Sequence, residues 1–136
     1  MRRSTSMLTS SLVLIGVLGV LLLTGTPSSA QPARAVRIVS PVQGEIVEGP
    51  NVTISLEAVG VKLPDEHFHV LIDSAALNYI LGNPIPIGQA DIVHFRALTT
   101  TVRLPAGPHL VVVIAGDAQH VPLRPMAVDS GYFFVR

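Results

Sequence analysis

Between residues 36 and 135 the chain breaks into about seven short runs of strand character. Each is stopped by glycine or proline before helical spacing can develop. Val36-Arg37-Ile38-Val39 and Asn51-Val52-Thr53-Ile54-Ser55-Leu56-Glu57-Ala58-Val59 alternate apolar with polar residues, which predicts half-buried strands with Val52, Ile54, Leu56 and Ala58 inward. Ile46-Val47-Glu48 reads as a short edge segment. His109-Leu110-Val111-Val112-Val113-Ile114-Ala115 is apolar on both faces, as a central, doubly covered strand would be. The last strand runs from Val128 to Val135, with Gly131 expected at a bulge. No amphipathic helix interrupts this order, so the expected fold is all-β: a single Ig-like antiparallel β-sandwich over residues 36–136. The Cys and Trp of antibody domains are absent, and the assignment rests on pattern alone.

The first 30 residues have a different character. Arg2 and Arg3 precede a 12-residue apolar and glycine run from Leu12 to Leu23, and Ser28-Ser29-Ala30 forms a small-x-small cleavage pattern. The run is shorter than the ~20 residues of a spanning helix. Residues 1–30 therefore read as a secretory signal helix and residues 31–35 as a short lead-in. The alternative is an uncleaved N-terminal anchor, the one case in which a membrane is a partner. Either way the folded part is expected to be extracytoplasmic, periplasmic or secreted. Without Arg2 and Arg3 the charge is 7 − 9 = −2, which gives nucleic-acid binding no electrostatic support. The chain has no cysteine, hence no disulfide, no thiol nucleophile and no thiolate metal ligand.

The chemistry-bearing residues gather around Glu66-His67-Phe68-His69-Val70-Leu71-Ile72-Asp73. In a strand, His67, His69 and Leu71 share one face and Phe68, Val70 and Ile72 the other. The two imidazoles stand roughly 6.6 Å apart along the strand. If this run and the run from His109 are neighbouring strands of the sandwich, the Gly116-Asp117-Ala118-Gln119-His120 loop returns to the same end. His94 precedes a turn that reaches the same rim, whereas His109 belongs at the opposite end. The candidate metal ligands are His67, His69, His94, Asp117 and His120. Imidazole with carboxylate suits Zn or Cu, and Met126 offers a soft ligand for copper. A structural reading stands beside this one: Asp117 bonds its own loop backbone, and the histidines hydrogen-bond across the loops.

Residues 74–91 form an irregular insertion with Gly82, Pro84, Pro86 and Gly88, and Ala75 to Leu81 has room for a turn or two of helix. Asn78, Tyr79, Leu81 and Ile85, together with Arg124 in the later loop, are the expected binding surface. The alternative is that Tyr79, Leu81 and Ile85 cover an open sheet face.

The motifs Ser40-Pro41-Val42-Gln43-Gly44, Glu66-His67-Phe68-His69-Val70-Leu71-Ile72-Asp73, Ile92-Val93-His94-Phe95, Leu104-Pro105-Ala106-Gly107-Pro108-His109-Leu110 and Gly116-Asp117-Ala118-Gln119-His120-Val121-Pro122 together resemble a bacterial extracytoplasmic family, domain of unknown function 4399. The resemblance covers nearly all of residues 31–136. Arg96-Ala97 departs from it where a glycine-rich turn is expected, and Leu123-Arg124 where a further histidine is common. It implies an exported module and supplies no reaction. No Gly-x-Ser-x-Gly elbow, glycine-rich phosphate loop or obvious carboxylate pair is present, so the expectation is a non-enzymatic accessory or binding module. Its partner would be an unknown envelope protein or small ligand; the alternative is a copper- or zinc-binding protein.

Overall fold

A computed structural model describes Ala30, residues 33–74 and residues 76–136. Residues 1–29 of the expected signal segment lie outside the described residues. Among the described residues eight strands form in order: β1 (Ala35–Ser40), β2 (Ile46–Val47), β3 (Asn51–Val59), β4 (His67–Ile72), β5 (Ile92–Phe95), β6 (Thr99–Arg103), β7 (Gly107–Gly116) and β8 (Val128–Val135). One four-residue helix, α1 (Leu77–Ile80), lies in the insertion.

The strands make two sheets, β1-β3-β6 and β2-β8-β7-β4-β5. Every pairing is antiparallel except β2 with β8, which is parallel over Ile46↔Phe134 and Val47↔Val135. The sandwich is immunoglobulin-like, with β4 beside β7 as the sequence pattern requires. Alternation explains the faces. β3 buries Val52, Ile54 and Leu56 against Phe68, Val70, Val111, Val113, Ala115 and Phe133 of the larger sheet. Each of these side chains other than Ala115 contributes about 1.5–3 kcal/mol of burial, which is how a chain without disulfides holds together.

The expected bulge at Gly131 does not occur. β7 and β8 pair without a register shift through Val111↔Gly131. A Cβ at Gly131 would lie 3.4 Å from Ile38 Cδ1 of the facing sheet, an ordinary packing contact. The irregularity falls in β1, between Ile38 and Ser40.

A second, smaller core occupies the outer face of the five-stranded sheet. Leu71, Ile92 and Ile114 project outward from β4, β5 and β7 and are covered by Ala76 and Ile85 of the insertion, with Tyr79 and Val112 packed at the margin. Two backbone bonds tie the insertion down: Ile72 N–H to the Asp91 carbonyl at 2.8 Å, and Ile85 N–H to the His120 carbonyl at 2.9 Å. β4 is consequently buried on both faces. Its outward side chains lie within the protein although they do not face the sandwich interior.

Candidate metal centre

The outer face of β4 carries His67, His69 and Leu71, and pairing sets their neighbours. His69 lies opposite His94 on β5 and opposite Ile114 on β7, and His67 lies opposite Gly116. Gly116 makes room for an imidazole: a Cβ there would stand 2.6 Å from His69 Cε1 and 3.2 Å from its Nδ1. The sequence signal for this role was a glycine ending an otherwise bulky strand, which also reads as an ordinary turn residue.

His120 arrives from the β7–β8 loop. The Asp117 Oδ1 accepts from Gln119 N–H and Val121 N–H, both at 2.9 Å, and the Asp117 carbonyl accepts from His120 N–H at 2.9 Å. The carboxylate thus shapes the loop, as the structural reading expects of an Asp in a tight turn. His120 itself sits at φ 64°, a left-handed conformation that costs a non-glycine residue roughly 1–2 kcal/mol. That backbone turn aims its ring inward over the sheet, where its Nδ1 stands 3.1 Å from His67 Nε2 and 3.2 Å from His69 Nε2.

Backbone carbonyls set the tautomers. His69 Nδ1 faces the Ile114 carbonyl at 3.2 Å, and a carbonyl can only accept, so Nδ1 carries the proton and Nε2 the lone pair. His67 Nδ1 faces the Asp65 carbonyl at a longer 3.4 Å, with the same consequence. Two lone pairs therefore point at His120 Nδ1, and one proton there satisfies only one of them. One ring nitrogen from each of His67, His69 and His120 lies within 4.8 Å of the other two. Around a tetrahedral ion, with metal–nitrogen bonds of 2.0–2.1 Å, ligand nitrogens stand about 3.3 Å apart. Both separations to His120 are already close to that.

Burial favours the neutral form of His67, His69 and His94. It pushes His69 down to about 3, against the pull of the Ile114 carbonyl, and His67, His94 and His120 add to the depression. Burial likewise lowers His67, with His120 and Arg96 contributing, and lowers His94, with His120 and His67 contributing. Neutral imidazole is the metal-binding form.

His94 stands beside the three, its ring edge-on to His69 at 4.5 Å and to His120 at 4.9 Å. Asp117 directs Oδ1 at its own loop. His109 is at the other end of β7, bonded to Asp73 and Pro105. Of the expected binding surface, Ile85 is only 1 % exposed: it is a plug in the outer core rather than a contact residue. Tyr79 packs beside it. Leu81 is 71 % exposed, Asn78 is exposed, and Arg124 is exposed beside Gly82. One side of the insertion thus covers the sheet face, while Leu81 and Asn78 meet solvent.

No family model and no curated protein matches the chain. Among solved structures it is similar to the fibronectin(III)-like modules of Clostridium thermocellum CbhA, with TM-score 0.50 and 17 % identity over 78 % of this chain and 48 % of that one. An engineered protein matches at TM-score 0.49 and 16 % identity over 80 % of this chain and 21 % of that one. The chain spans about half the length of the CbhA structure. The likeness to CbhA bears on the fold: an immunoglobulin-like sandwich of the fibronectin III-like kind. Neither the paired-histidine strand nor the loop that meets it follows from that fold.

Proposed function

We propose that this protein is an exported, non-enzymatic β-sandwich module that binds a divalent transition metal, zinc or copper, through His67, His69 and His120. One observation carries the reading. Two backbone carbonyls hold His67 and His69 as Nδ1–H tautomers, so both Nε2 lone pairs point at the Nδ1 of His120. A carbonyl behind a ligating imidazole is a common way in which metal sites fix ring and tautomer. A purely structural cluster would be better served by alternating donors and acceptors, which those carbonyls prevent. The accessory-module reading is compatible with this: the insertion that bonds the His120 carbonyl also presents Leu81 and Asn78 to solvent. Export rests on the N-terminal sequence, and fractionation with N-terminal sequencing tests it.

The deciding experiment is calorimetric titration of untagged, chelator-stripped protein with Zn(II) and Cu(II). One ion per chain and a metal-dependent rise in melting temperature are expected. Absence of both heat and stabilisation refutes the proposal.

A further inference from the structure

Three histidines leave one feature of the cluster without a role. The Nε2 of His94 is buried and finds no hydrogen-bond partner among the described residues. A buried polar atom of this kind calls for a specific explanation. His94 is also held by register beside the site, directly across the β4–β5 ladder from His69.

The four ring positions supply the explanation. Taken pairwise, the centroids of His67, His69, His94 and His120 are 4.6, 6.1, 4.8, 4.5, 5.4 and 4.9 Å apart. Six comparable edges define a tetrahedron of rings. With metal–nitrogen bonds of 2.0–2.1 Å, each imidazole centroid lies about 3.2 Å from the ion, and four rings placed tetrahedrally stand about 5.2 Å apart. The observed edges fall on both sides of that value. The His94 ring nitrogens lie outside the set that His67, His69 and His120 bring together, so His94 joins by turning its ring to direct a nitrogen inward.

We propose that His94 is a fourth ligand, making this a closed, tetrahedral, all-imidazole centre for Zn(II) with no coordination position left for water or substrate. The inference rests on the metal reading above and adds to it the class of site. Three ligands with an open fourth position make a water-activating centre, whereas four make a site that holds its ion. A tetrahedral set also suits Zn(II) and its probe Co(II) better than Cu(II), which prefers tetragonal surroundings. The ligands come from β4, β5 and the β7–β8 loop, so a bound ion would tie the edge strand to the loop over the sheet's outer face.

Co(II) titration of the untagged, chelator-stripped protein, read by visible absorption, tests this. One Co(II) per chain is expected, with the intense bands of four-coordination, unchanged between pH 6.5 and 9 and unaffected by azide. His94→Ala should still bind, at least about tenfold more weakly. Its spectrum should now respond to pH and azide because water takes the vacated position. X-ray absorption of the zinc-loaded wild type should count four imidazoles, a measurement that does not depend on the variant folding. A wild-type spectrum that already shifts with azide, or a three-imidazole count, overturns the closed site while leaving the three-histidine reading intact. The same holds if His94→Ala has unaltered affinity and spectrum. Failure of the wild type to bind either Co(II) or Zn(II) overturns both.

Discussion

The two ends of β7 hold histidines in opposite chemical states. At the Gly116 end, His67, His69, His94 and His120 face one another on the outer side of the sheet, and burial lowers the first three below the ordinary imidazole range. At the Gly107 end, His109 stands five residues along β7 from the Ile114 that pairs with His69, about 17 Å by strand rise, and lies on the inner side against Phe133. Its Nδ1 faces Asp73 Oδ2 at 2.7 Å and its Nε2 faces the Pro105 carbonyl at 2.8 Å. Both partners accept, so both ring nitrogens must donate and the ring is an imidazolium. Desolvation opposes this, but the Pro105 carbonyl and the Asp73 carboxylate outweigh it and raise His109 above its usual range. Neither strand position nor burial alone separates the two ends, since His109 and His69 are both buried on the same sheet. The partners differ: acceptors alone at one end, and other imidazoles at the other.

The largest effect that would break this contrast is on metal binding. His67→Ala and His120→Ala are each expected to abolish calorimetric binding of Zn(II), while His109→Ala leaves stoichiometry and affinity unchanged. Equal losses from all three would show that the two ends are not chemically distinct.

Gly116→Val should come next. Its side chain would enter the space of the His69 ring, with an overpacking cost of about 3 kcal/mol by chemical denaturation and loss of the metal site. A change below about 0.5 kcal/mol, within the range of an ordinary surface substitution, would mean that the ring yields freely and that register does not hold it.

Acidification sharpens the comparison further. For the metal-free protein, the His69 proton equilibrium has no effect above the unfolded pKa of about 6.5. Below that pH the unfolded chain takes up a proton that the folded chain refuses, and the resulting loss of stability continues down to the folded value of about 3. At pH 5 this amounts to about 2 kcal/mol from His69 alone. The lowered His67 and His94 act in the same direction. Denaturation curves at pH 7.5 and 5.0 check this, and added Zn(II) should raise stability more at the higher pH, where the ligands are neutral in both states.

The smallest expected effect has the opposite sign in pH. His109 is raised on folding, so its contribution is fully present below the unfolded pKa and is lost as pH rises through the folded value. Asp73 is 47 % exposed, which screens the pair to the order of 1 kcal/mol. Asp73→Asn suits the left-handed backbone at that position (φ 52°) while removing the charge. It should destabilise by that amount at pH 6 and by less at pH 9. A pH-independent difference would mean that Asp73 acts through its bond from Leu110 N–H rather than through His109.

Much of this was legible in the chain itself because it depends on local period. Two-residue alternation places His67 and His69 on one face and Phe68 and Val70 on the other, and glycine and proline punctuation makes a sandwich of short strands the natural outcome. The strand order of an immunoglobulin-like sandwich then brings the β7–β8 loop to His67 and leaves His109 at the far end. Tertiary structure decided the rest. The β4–β5 register sets His94 against His69, and Gly116 accommodates a ring from the neighbouring strand. Ile85 turns inward and bonds the carbonyl of His120, so this part of the insertion covers the sheet face. The carbonyls of Ile114 and Asp65 choose the tautomers. Alternation is a property of consecutive residues and survives in the bare sequence. Register, closure of an insertion and the direction of a lone pair depend on groups tens of residues apart and exist only once the sheet has formed.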